Sequence, residues 1–531
     1  MPTKDRIAES VVIVAGLMFL AYLLVFSWNY LYTFHEDIDL GVYTFSMYYA
    51  VNQPGIVNGL QYIIFGNHIA PDQLMIVPLY YLYQSPYTLL AVQDLVLIVT
   101  AVSLFFVTRS LLGSNLLGIG FFAAFVLSPG IYGLITYNYH SEVFIPLFYL
   151  LTFYFYMKKD VVRCFAFLLL LLGTIEDAPA VAAMLAVGLL IYAYFSVSDV
   201  KLKKERMIMA IGILAVSILV FGVYYLIDTS LLSSYASGAY ASLPPRLQMG
   251  SFATSLPHVS NPIQATKGVL ASTNGQAIAF GIMIAVFGFG VSPFASPLIL
   301  SVMISPWLAE VFLVGDTNFL NISFQNYGFV IGATFVSALL GILVVRERGS
   351  VISRLSSPAS RKPGFKRSVI IVAFCSILAT TLILNMMATP YRISGWTGPS
   401  LTRVFLFQGE YQPYVWQIDS MLKLVPANAS LMTTLPVMSV AGSREYVEEM
   451  TWPQASYFFA PEYILADFDS RNISLEGYML SEQKSYLTGY ITDNAYNYTL
   501  YARNGSAFLL KRTGYGNATT LIQVLSVIQS G

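Results

Sequence analysis

Long stretches without a charged residue are the feature of this sequence that most restricts its fold. The stretch Val11–Tyr32 contains no Asp, Glu, Lys or Arg, and comparable stretches recur up to about residue 388. An apolar segment of about 18 or more residues can cross the ~30 Å hydrocarbon core of a bilayer as a helix. Only 11% of the residues are charged, against about 25% in an average soluble domain. The sequence therefore predicts an α-helical polytopic membrane protein.

Hydropathy predicts about 11 transmembrane helices, of which the first is Val11–Tyr32. This run is too long for the apolar core of a signal peptide, so we expect it to be retained. The segment 69–86 is apolar but interrupted by prolines, and we interpret it as interfacial or re-entrant. Among the later spans, 142–157 and 161–175 are short for a full crossing. The later predicted spans are 87–108, 114–134, 142–157, 161–175, 178–196, 207–227, 276–292, 295–314, 327–345 and 368–388.

The distribution of Lys and Arg predicts the orientation, because cytoplasmic loops of membrane proteins are enriched in these residues. With the N-terminus in the cytoplasm, 17 of the 19 basic residues before position 391 fall on the cytoplasmic side. The exceptions are Arg246 and Lys267. Miscounting one span would reverse every later loop and destroy this pattern. The sequence thus predicts a multi-pass plasma-membrane protein with a cytoplasmic N-terminus.

An odd number of spans places residues 389–531 outside the cytoplasm. This tail is more polar and contains short β-prone runs such as Tyr463–Leu465 and Phe508–Leu510. We therefore divide the chain into a transmembrane domain, 1–388, with a long first external loop, 33–86, and a small extracytoplasmic α/β domain, 389–531. Six Asn-x-Ser/Thr sequons all fall on the predicted outer side, at Asn321, Asn428, Asn472, Asn497, Asn504 and Asn517. Each sequon alone is a weak signal.

Histidines and carboxylates gather in the predicted external loops. The loop 33–86 has no Lys or Arg and contains Glu36, Asp37 and Asp39 near its start, with His68 further along. Two short loops add a second set: His140, Glu142, Glu176 and Asp177. Such groups serve as general bases or metal ligands, and they are costly to bury near hydrocarbon unless they face a polar cavity or a partner.

Each of these patterns also has an ordinary structural explanation. An acidic residue after a span can cap the next helix, and Glu176–Asp177 can sit at the positive end of a helix dipole. His68 can be a structural histidine at the membrane surface. The combination favours a functional site, because four separate segments place the same residue types at one predicted face.

These motifs resemble the family of predicted membrane proteins called domain of unknown function 2079. The family in turn resembles the GT-C class of membrane glycosyltransferases. The family often has a basic residue before the Glu-Asp pair, where this chain has Ile175. The matching residues are Asp37–Gly41, Gly66–His68 with Pro71, Pro78–Tyr80, Pro86 with Gln93, His140–Glu142, Glu176–Ala178 and Val425–Ser430.

The resemblance implies a GT-C-like enzyme that moves a sugar from a polyprenyl-phosphate donor to an extracytoplasmic acceptor. It also suggests an archaeal source, together with the sequons. A carboxylate would accept the proton of the acceptor, and the first-loop residues Asp37 and Asp39 are the candidates. His68, His140, Glu142, Glu176 and Asp177 are candidate substrate-binding residues.

The phosphate that leaves the sugar needs positive charge or hydrogen-bond donors. Arg246 and Lys267 are the basic residues of the external loops within the membrane domain and are candidates for this role, with Arg392 and Arg403 as alternatives. Some GT-C enzymes use a divalent metal, Mn²⁺ or Mg²⁺. The candidate ligands here are Asp37, Asp39, His140 and Glu142.

Two other classes of function remain open at this point. A transporter or flippase for a lipid or a solute would bind its substrate near the middle of the membrane, whereas the ionisable clusters here lie at one face. A non-catalytic scaffold or sensor would use the external domain to bind a ligand. The formal net charge of zero gives no general attraction to nucleic acid, so membrane lipid is the expected partner.

Overall fold

The computed structural model describes most of the chain as helices followed by a small sheet. Asp37 and Arg246, both candidate site residues, lie outside the described residues, as does Arg403. The described residues are 3–36, 38–52, 68–227, 264, 266–269, 275–291, 293, 296–309, 311–312, 327–355, 363–388, 392–393, 396–397, 413–444, 447–450, 461–468, 477–493, 498–513 and 518–530.

A helical bundle occupies the first 388 residues. Every predicted span falls on at least one helix, and the two spans predicted to be short are helices of 14 and 12 residues. The helices of the bundle are Thr3–Tyr32, Ile38–Asn52, Val77–Leu82, Pro86–Leu112, Asn115–Val126, Pro129–Tyr137, Ile145–Lys158, Val161–Leu172, Ala178–Ser196, Val200–Leu226, Gly275–Phe287, Pro297–Met303, Ser305–Ala309, Tyr327–Leu355 and Pro363–Ala388.

Five helices among the described residues are long and apolar enough to cross a membrane. The bent pair Asn115–Val126 and Pro129–Thr136, with 44° between its parts, makes six if it counts as one span. The prediction of a membrane protein with several spans is therefore confirmed at this coarser level. The count of 11 stays a prediction, because several of its spans correspond to shorter or broken helices.

Local sequence signals explain where the helices begin and end. Ser85 caps the helix Pro86–Leu112 by accepting a hydrogen bond from the backbone N–H of Tyr87, and Pro86 fits the first helical turn. The helix ends at Gly113, whose φ of 65° is the left-handed conformation that glycine adopts without strain. The proline-broken segment after His68 forms only two short helices, Pro71–Met75 and Val77–Leu82.

The two ends of the bundle differ in charge. At one end, Arg109 forms ion pairs with Glu9 and, at 3.9 Å, with Asp5. Lys159 and Glu205 form a further, exposed pair at 2.9 Å. Arg109 therefore lies at the same end as the N-terminus, as the charge distribution predicts. The histidines and carboxylates of the external-loop motifs pair with one another instead.

The start of the helix Tyr327–Leu355 packs closely on the short helix Pro129–Tyr137, and Gly130 makes this possible. A Cβ atom on Gly130 would lie 2.0 Å from Cδ1 of Tyr327, a residue whose side chain is buried. We expect Gly130→Ala to destabilise the protein by about 1–3 kcal/mol through overpacking. Thermal unfolding in detergent measures this, with Gly222→Ala as the control because nothing lies within 4 Å of its added Cβ. Equal melting temperatures for the two variants would contradict the packing argument.

A five-stranded mixed sheet follows the bundle, so the prediction of a small β-containing unit at the C-terminus is confirmed. The β-prone runs Tyr463–Leu465 and Phe508–Leu510 both lie in strands. The first three strands across the sheet are parallel and the last two are antiparallel. In spatial order the strands are Val447–Glu449, Leu431–Thr433, Tyr463–Ala466, Ala507–Arg512 and Tyr498–Asn504.

Successive side chains of the strands alternate between two apolar layers. Leu431 and Leu465 belong to the layer that contains the helices Pro413–Leu422 and Leu435–Ala441. The alternate residues, such as Met432 and Ile464, belong to the layer formed with the helices Gly477–Asp493 and Ala518–Ser530. A short hairpin, Arg392–Ile393 with Trp396–Thr397, precedes this unit. The division into two domains at residue 388 remains a prediction.

Candidate functional site

The external-loop motifs meet at one end of the bundle. Asp39 lies in the first turn of the helix Ile38–Asn52, and its Oδ2 is 3.3 Å from Nε2 of His140. The other ring nitrogen of His140, Nδ1, is 3.8 Å from Oε2 of Glu142. His140 therefore lies between two carboxylates that are 103 residues apart in the chain.

These three side chains differ in how much of their surface is exposed, and this indicates different roles. The side chain of Asp39 is 16% exposed, whereas those of His140 and Glu142 are only 3% and 2% exposed. Asp39 is thus the member that a molecule approaching from outside the cluster can reach. His140 lies behind it, where it can orient the Asp39 carboxylate or exchange a proton with it, and Glu142 lies next to the other ring nitrogen of His140.

Backbone geometry next to these residues is unusual. Phe34, five residues before Asp39, has a φ of 59°, and Asn138, two residues before His140, has a φ of 146°. Residues other than glycine rarely adopt such values, and strained residues cluster at functional sites. Gly328 also packs closely on this region, since its added Cβ would lie 2.7 Å from the backbone oxygen of Glu142.

A second pair, His68 and Glu176, lies near the first cluster. Nδ1 of His68 is 2.8 Å from Oε1 of Glu176, and the backbone N–H of Ile69 donates to Oε2 at 2.9 Å. Burial lowers the pKa of His68, but the charge of Glu176 and the hydrogen bond to it outweigh burial and raise the pKa to about 10. Burial raises the pKa of Glu176, but the charge of His68 and the hydrogen bond to it outweigh burial, so the pKa of Glu176 is lowered. The pair is therefore ionised at neutral pH.

Electrostatic coupling shows that the two pairs share one neighbourhood. The charge of Glu142 also contributes to the pKa of His68, as does that of Asp177. Tyr43 lies between the pairs: its ring contacts that of His140 edge-on, with centroids 5.6 Å apart. Burial, followed by the charge of Glu142, raises the pKa of Tyr43 well above its usual range. The structure thus brings together Asp39, His68, His140, Glu142 and Glu176, with Asp177 beside them.

Sequence analysis did not single out Asp72, which the structure places in the same neighbourhood. Its side chain is buried, and no side chain among the described residues forms a hydrogen bond with either carboxyl oxygen. Its backbone N–H donates to the backbone oxygen of Gly173, 3.0 Å away. Burial, reinforced by the charge of Glu142, raises the pKa of Asp72 well above its usual range. The sequence did contain one signal for Asp72, since it is a lone carboxylate in an apolar segment. A carboxylate is costly to bury, so its presence there suggests a specific role.

The raised pKa of Asp72 predicts an unusual dependence of stability on pH. The folded state holds this proton more tightly than the unfolded chain, so the contribution to stability is full below the ordinary pKa of 3.8 and is lost as pH rises through the folded pKa. Asn cannot ionise. We expect Asp72→Asn to gain about 1–3 kcal/mol in stability relative to wild type between pH 4 and pH 8, measured by thermal unfolding. A difference that is constant with pH would contradict this assignment.

Gln73, which sequence analysis did not single out, forms a buried hydrogen bond next to the site. The amide nitrogen of Gln73 donates to the hydroxyl of Tyr139 at 2.9 Å, and the pair is buried. The ring of Tyr139 contacts that of Tyr43 edge-on, with centroids 5.2 Å apart. Through Tyr139, these two contacts link the short helix Pro71–Met75, which carries Gln73, to the helix that carries Asp39 and Tyr43.

The basic candidates are placed differently. Lys267 lies in a short helical turn with an exposed side chain, and in the part of the chain that the structure describes it makes no ion pair with the acidic residues of the site. The side chain of Arg392 is not described. Among the described residues, no group of three or more His, Cys, Asp or Glu side chains is arranged to hold a metal ion. Asp37, one of the candidate ligands, lies outside the described residues, so a metal site stays a prediction.

Taken together, the fold and this cluster define a polytopic helical membrane protein with a polar, acid-rich site at one end of the bundle. The chain belongs to the family whose model is described as "Predicted membrane protein (DUF2079)", which matches residues 44–497. The motif Asp37–Gly41 precedes the matched range, and the other family motifs fall inside it. No curated protein matches the chain. The further resemblance to GT-C glycosyltransferases stays a prediction.

Proposed function

We propose that this protein is a membrane glycosyltransferase that takes a sugar from a polyprenyl-phosphate donor and passes it to an acceptor outside the cytoplasm. The observation that carries the proposal is the accessible Asp39 carboxylate, which lies 3.3 Å from a buried histidine. In the proposed reaction an acceptor hydroxyl attacks the anomeric carbon, the bond from that carbon to the phosphate oxygen breaks, and Asp39 accepts the hydroxyl proton. His140 would hold the carboxylate in position.

In this proposal, three side chains are candidates to stabilise the negative charge of the leaving phosphate. His68 is the cationic side chain of the described site, since Glu176 keeps it protonated at neutral pH. Arg246 and Lys267 remain candidates from the external loops. The proposal also includes 11 spans, a cytoplasmic N-terminus and an extracytoplasmic C-terminal unit in the plasma membrane, as the charge distribution predicts.

An assay of donor breakdown tests the proposal directly. The purified full-length protein is incubated in detergent with polyprenyl phosphates that carry glucose, mannose or galactose, with and without membrane extract as a source of acceptor. Release of free polyprenyl phosphate that depends on acceptor and protein supports a transferase. Failure with all three donors, by a protein whose thermal unfolding is cooperative, would contradict a hexosyltransferase.

A transporter is the second candidate, and a buried acid within a predicted span favours it. Asp94 lies within the helix Pro86–Leu112, fully buried, and accepts a hydrogen bond from the hydroxyl of Ser27 at 2.8 Å. Ionisable residues inside membrane spans often mark substrate or proton pathways. Uptake of a solute into proteoliposomes without chemical transfer, abolished by Asp94→Asn, would favour this function over the transferase.

A further inference from the structure

The C-terminal unit contacts the helix that carries Asp39. The short helix Leu435–Ala441 packs against the helix Ile38–Asn52. Asp39 lies in the first turn of the latter, and Gly41 follows two residues later. A segment nearly 400 residues away in sequence is therefore a direct neighbour of the proposed catalytic carboxylate.

Two glycines allow this contact to be close. A Cβ on Gly41 would lie 2.9 Å from Cγ of Met438 and 3.2 Å from the backbone of the same residue. A Cβ on Gly442 would lie 3.0 Å from Cβ of Thr44 and 3.1 Å from the backbone oxygen of Gly41. Because backbone atoms define the spacing on both sides, the position of one element determines that of the other.

Two hydrogen bonds flank the contact. The hydroxyl of Tyr414 donates to the backbone oxygen of Thr33 at 3.4 Å, just after the first span ends. The hydroxyls of Tyr80 and Ser443 are 2.9 Å apart. The C-terminal unit is thus joined to three segments around the site: the end of the first span, the helix of Asp39 and the short helix Val77–Leu82.

Phe34 joins the two parts through apolar packing. It sits in the turn between the first span and the Asp39 helix, has a left-handed backbone and is buried. Its side chain belongs to the same apolar cluster as Val415, Val437 and Met438 of the C-terminal unit. The energy gained by burying this aromatic ring offsets the strain of its backbone, so the turn depends on the C-terminal unit.

From these contacts we infer that the C-terminal unit is a positioning element of the active site, which sets the position of Asp39 relative to His140 through the contact of Met438 and Gly442 with the Ile38–Asn52 helix. This inference rests on the proposed function for its catalytic meaning. A shift of about 1 Å in a reacting group can lower a rate by about 10²-fold. Residues Gly41, Met438 and Gly442 act through Asp39 and have no contact with substrate in this scheme.

The experiment compares four variants of the full chain: Gly442→Ala, Gly41→Ala, Gly41→Ala with Met438→Ala, and Gly489→Ala. Gly489 is the matched control, because it lies in a helix of the C-terminal unit and nothing is within 4 Å of its added Cβ. Amide hydrogen exchange over residues 38–52 measures how firmly the Asp39 helix is held, whatever the activity. Donor breakdown then gives kcat and KM.

We expect Gly442→Ala and Gly41→Ala to speed exchange over 38–52 by about tenfold, as local opening becomes easier, while the bundle helices exchange as in wild type. The change Met438→Ala removes the nearest atom and should partly restore the Gly41→Ala variant. In the transfer assay kcat should fall about tenfold or more with KM nearly unchanged. Gly489→Ala should match wild type in every measurement.

The outcomes separate this inference from the proposed function. Changed exchange over 38–52 in a protein that breaks down none of the three donors would support the positioning contact and contradict a hexosyltransferase. Wild-type exchange and kcat in Gly442→Ala and Gly41→Ala would overturn the inference while leaving the transferase intact. A uniform rise in exchange along the whole chain would also overturn it, because the contact would then serve overall stability.

Discussion

Replacing Asp39 with Asn should lower the rate of sugar transfer by about 10²–10⁴-fold, the usual contribution of a general base. The amide keeps the shape of the side chain but cannot accept the proton of the acceptor hydroxyl. Asp39 is the accessible member of the cluster, whereas His140 and Glu142 are almost fully buried. KM for the lipid donor should change little, since the proposed role concerns the acceptor proton.

The matched control is Asp493→Asn, which removes an exposed carboxylate from a helix of the C-terminal unit. It should leave both rate and melting temperature unchanged. Asp37→Asn and the double variant complete the set, because the sequence leaves both first-loop aspartates open as the base. Full activity in both single variants and in the double variant would show that neither residue is the base.

The second large effect concerns stability. Glu176→Gln should destabilise the protein by about 3 kcal/mol near pH 6, at the lower end of the range for breaking a buried ion pair. The lower end applies because the side chain of His68 keeps 17% exposure, and because His68 can lose its proton once the negative charge is gone. Thermal or denaturant unfolding in detergent measures the difference.

The pH dependence of this effect follows from the two pKa shifts. The pKa of His68 is raised from 6.5 to about 10, so its contribution to stability is complete below 6.5 and is lost as pH rises towards about 10. The pKa of Glu176 is lowered from 4.5, so its contribution is complete above 4.5 and is lost as pH falls below that. Wild type should therefore gain most from the pair between pH 4.5 and 6.5.

The difference between wild type and Glu176→Gln should accordingly shrink between pH 6 and pH 9.5. Glu482→Gln provides the control, because Glu482 is exposed on a helix of the C-terminal unit and its loss should matter little at either pH. An equal difference at both pH values would mean that Glu176 stabilises the protein by packing or hydrogen bonding and not by pairing with a protonated His68.

Sequence patterns singled out residues that the structure brings together at one end of the bundle, while their role as a site and the number of membrane crossings both stay predictions. Asp39, His68, His140, Glu142 and Glu176 were identified because charged and imidazole side chains stand out in apolar surroundings and carry a high desolvation penalty there. The helices also fall where hydropathy predicts them. The number of complete crossings is harder to predict, since a segment such as Ile145–Lys158 has the composition of a span but only 14 residues of helix.

Residues that support the site escaped prediction for a physical reason. Asp72 and Gln73 follow a proline in an apolar segment that reads as a membrane-surface element, and their burial depends on neighbours far along the chain. Tyr43 and Tyr139 are two of 37 tyrosines, and an aromatic residue near a membrane surface is expected without any function. For Asp72 the one signal was a carboxylate in an apolar segment, and local composition carries no signal that separates Gln73, Tyr43 and Tyr139 from the rest.

By itself, the sequence determined that this chain enters a membrane and which family it belongs to, and it predicted that the acids and histidines of the motifs lie away from most of the basic residues. Entry into the membrane and the charge pattern follow from transfer free energies and charge, which act residue by residue along the chain, whereas family membership follows from the order and spacing of the motifs. The tertiary structure alone decided that Asp39 meets His140, that His68 meets Glu176 across 108 residues, and that Met438 packs on Gly41. Such contacts depend on how helices far apart in sequence fit together, and packing of that kind leaves no periodic pattern in the sequence.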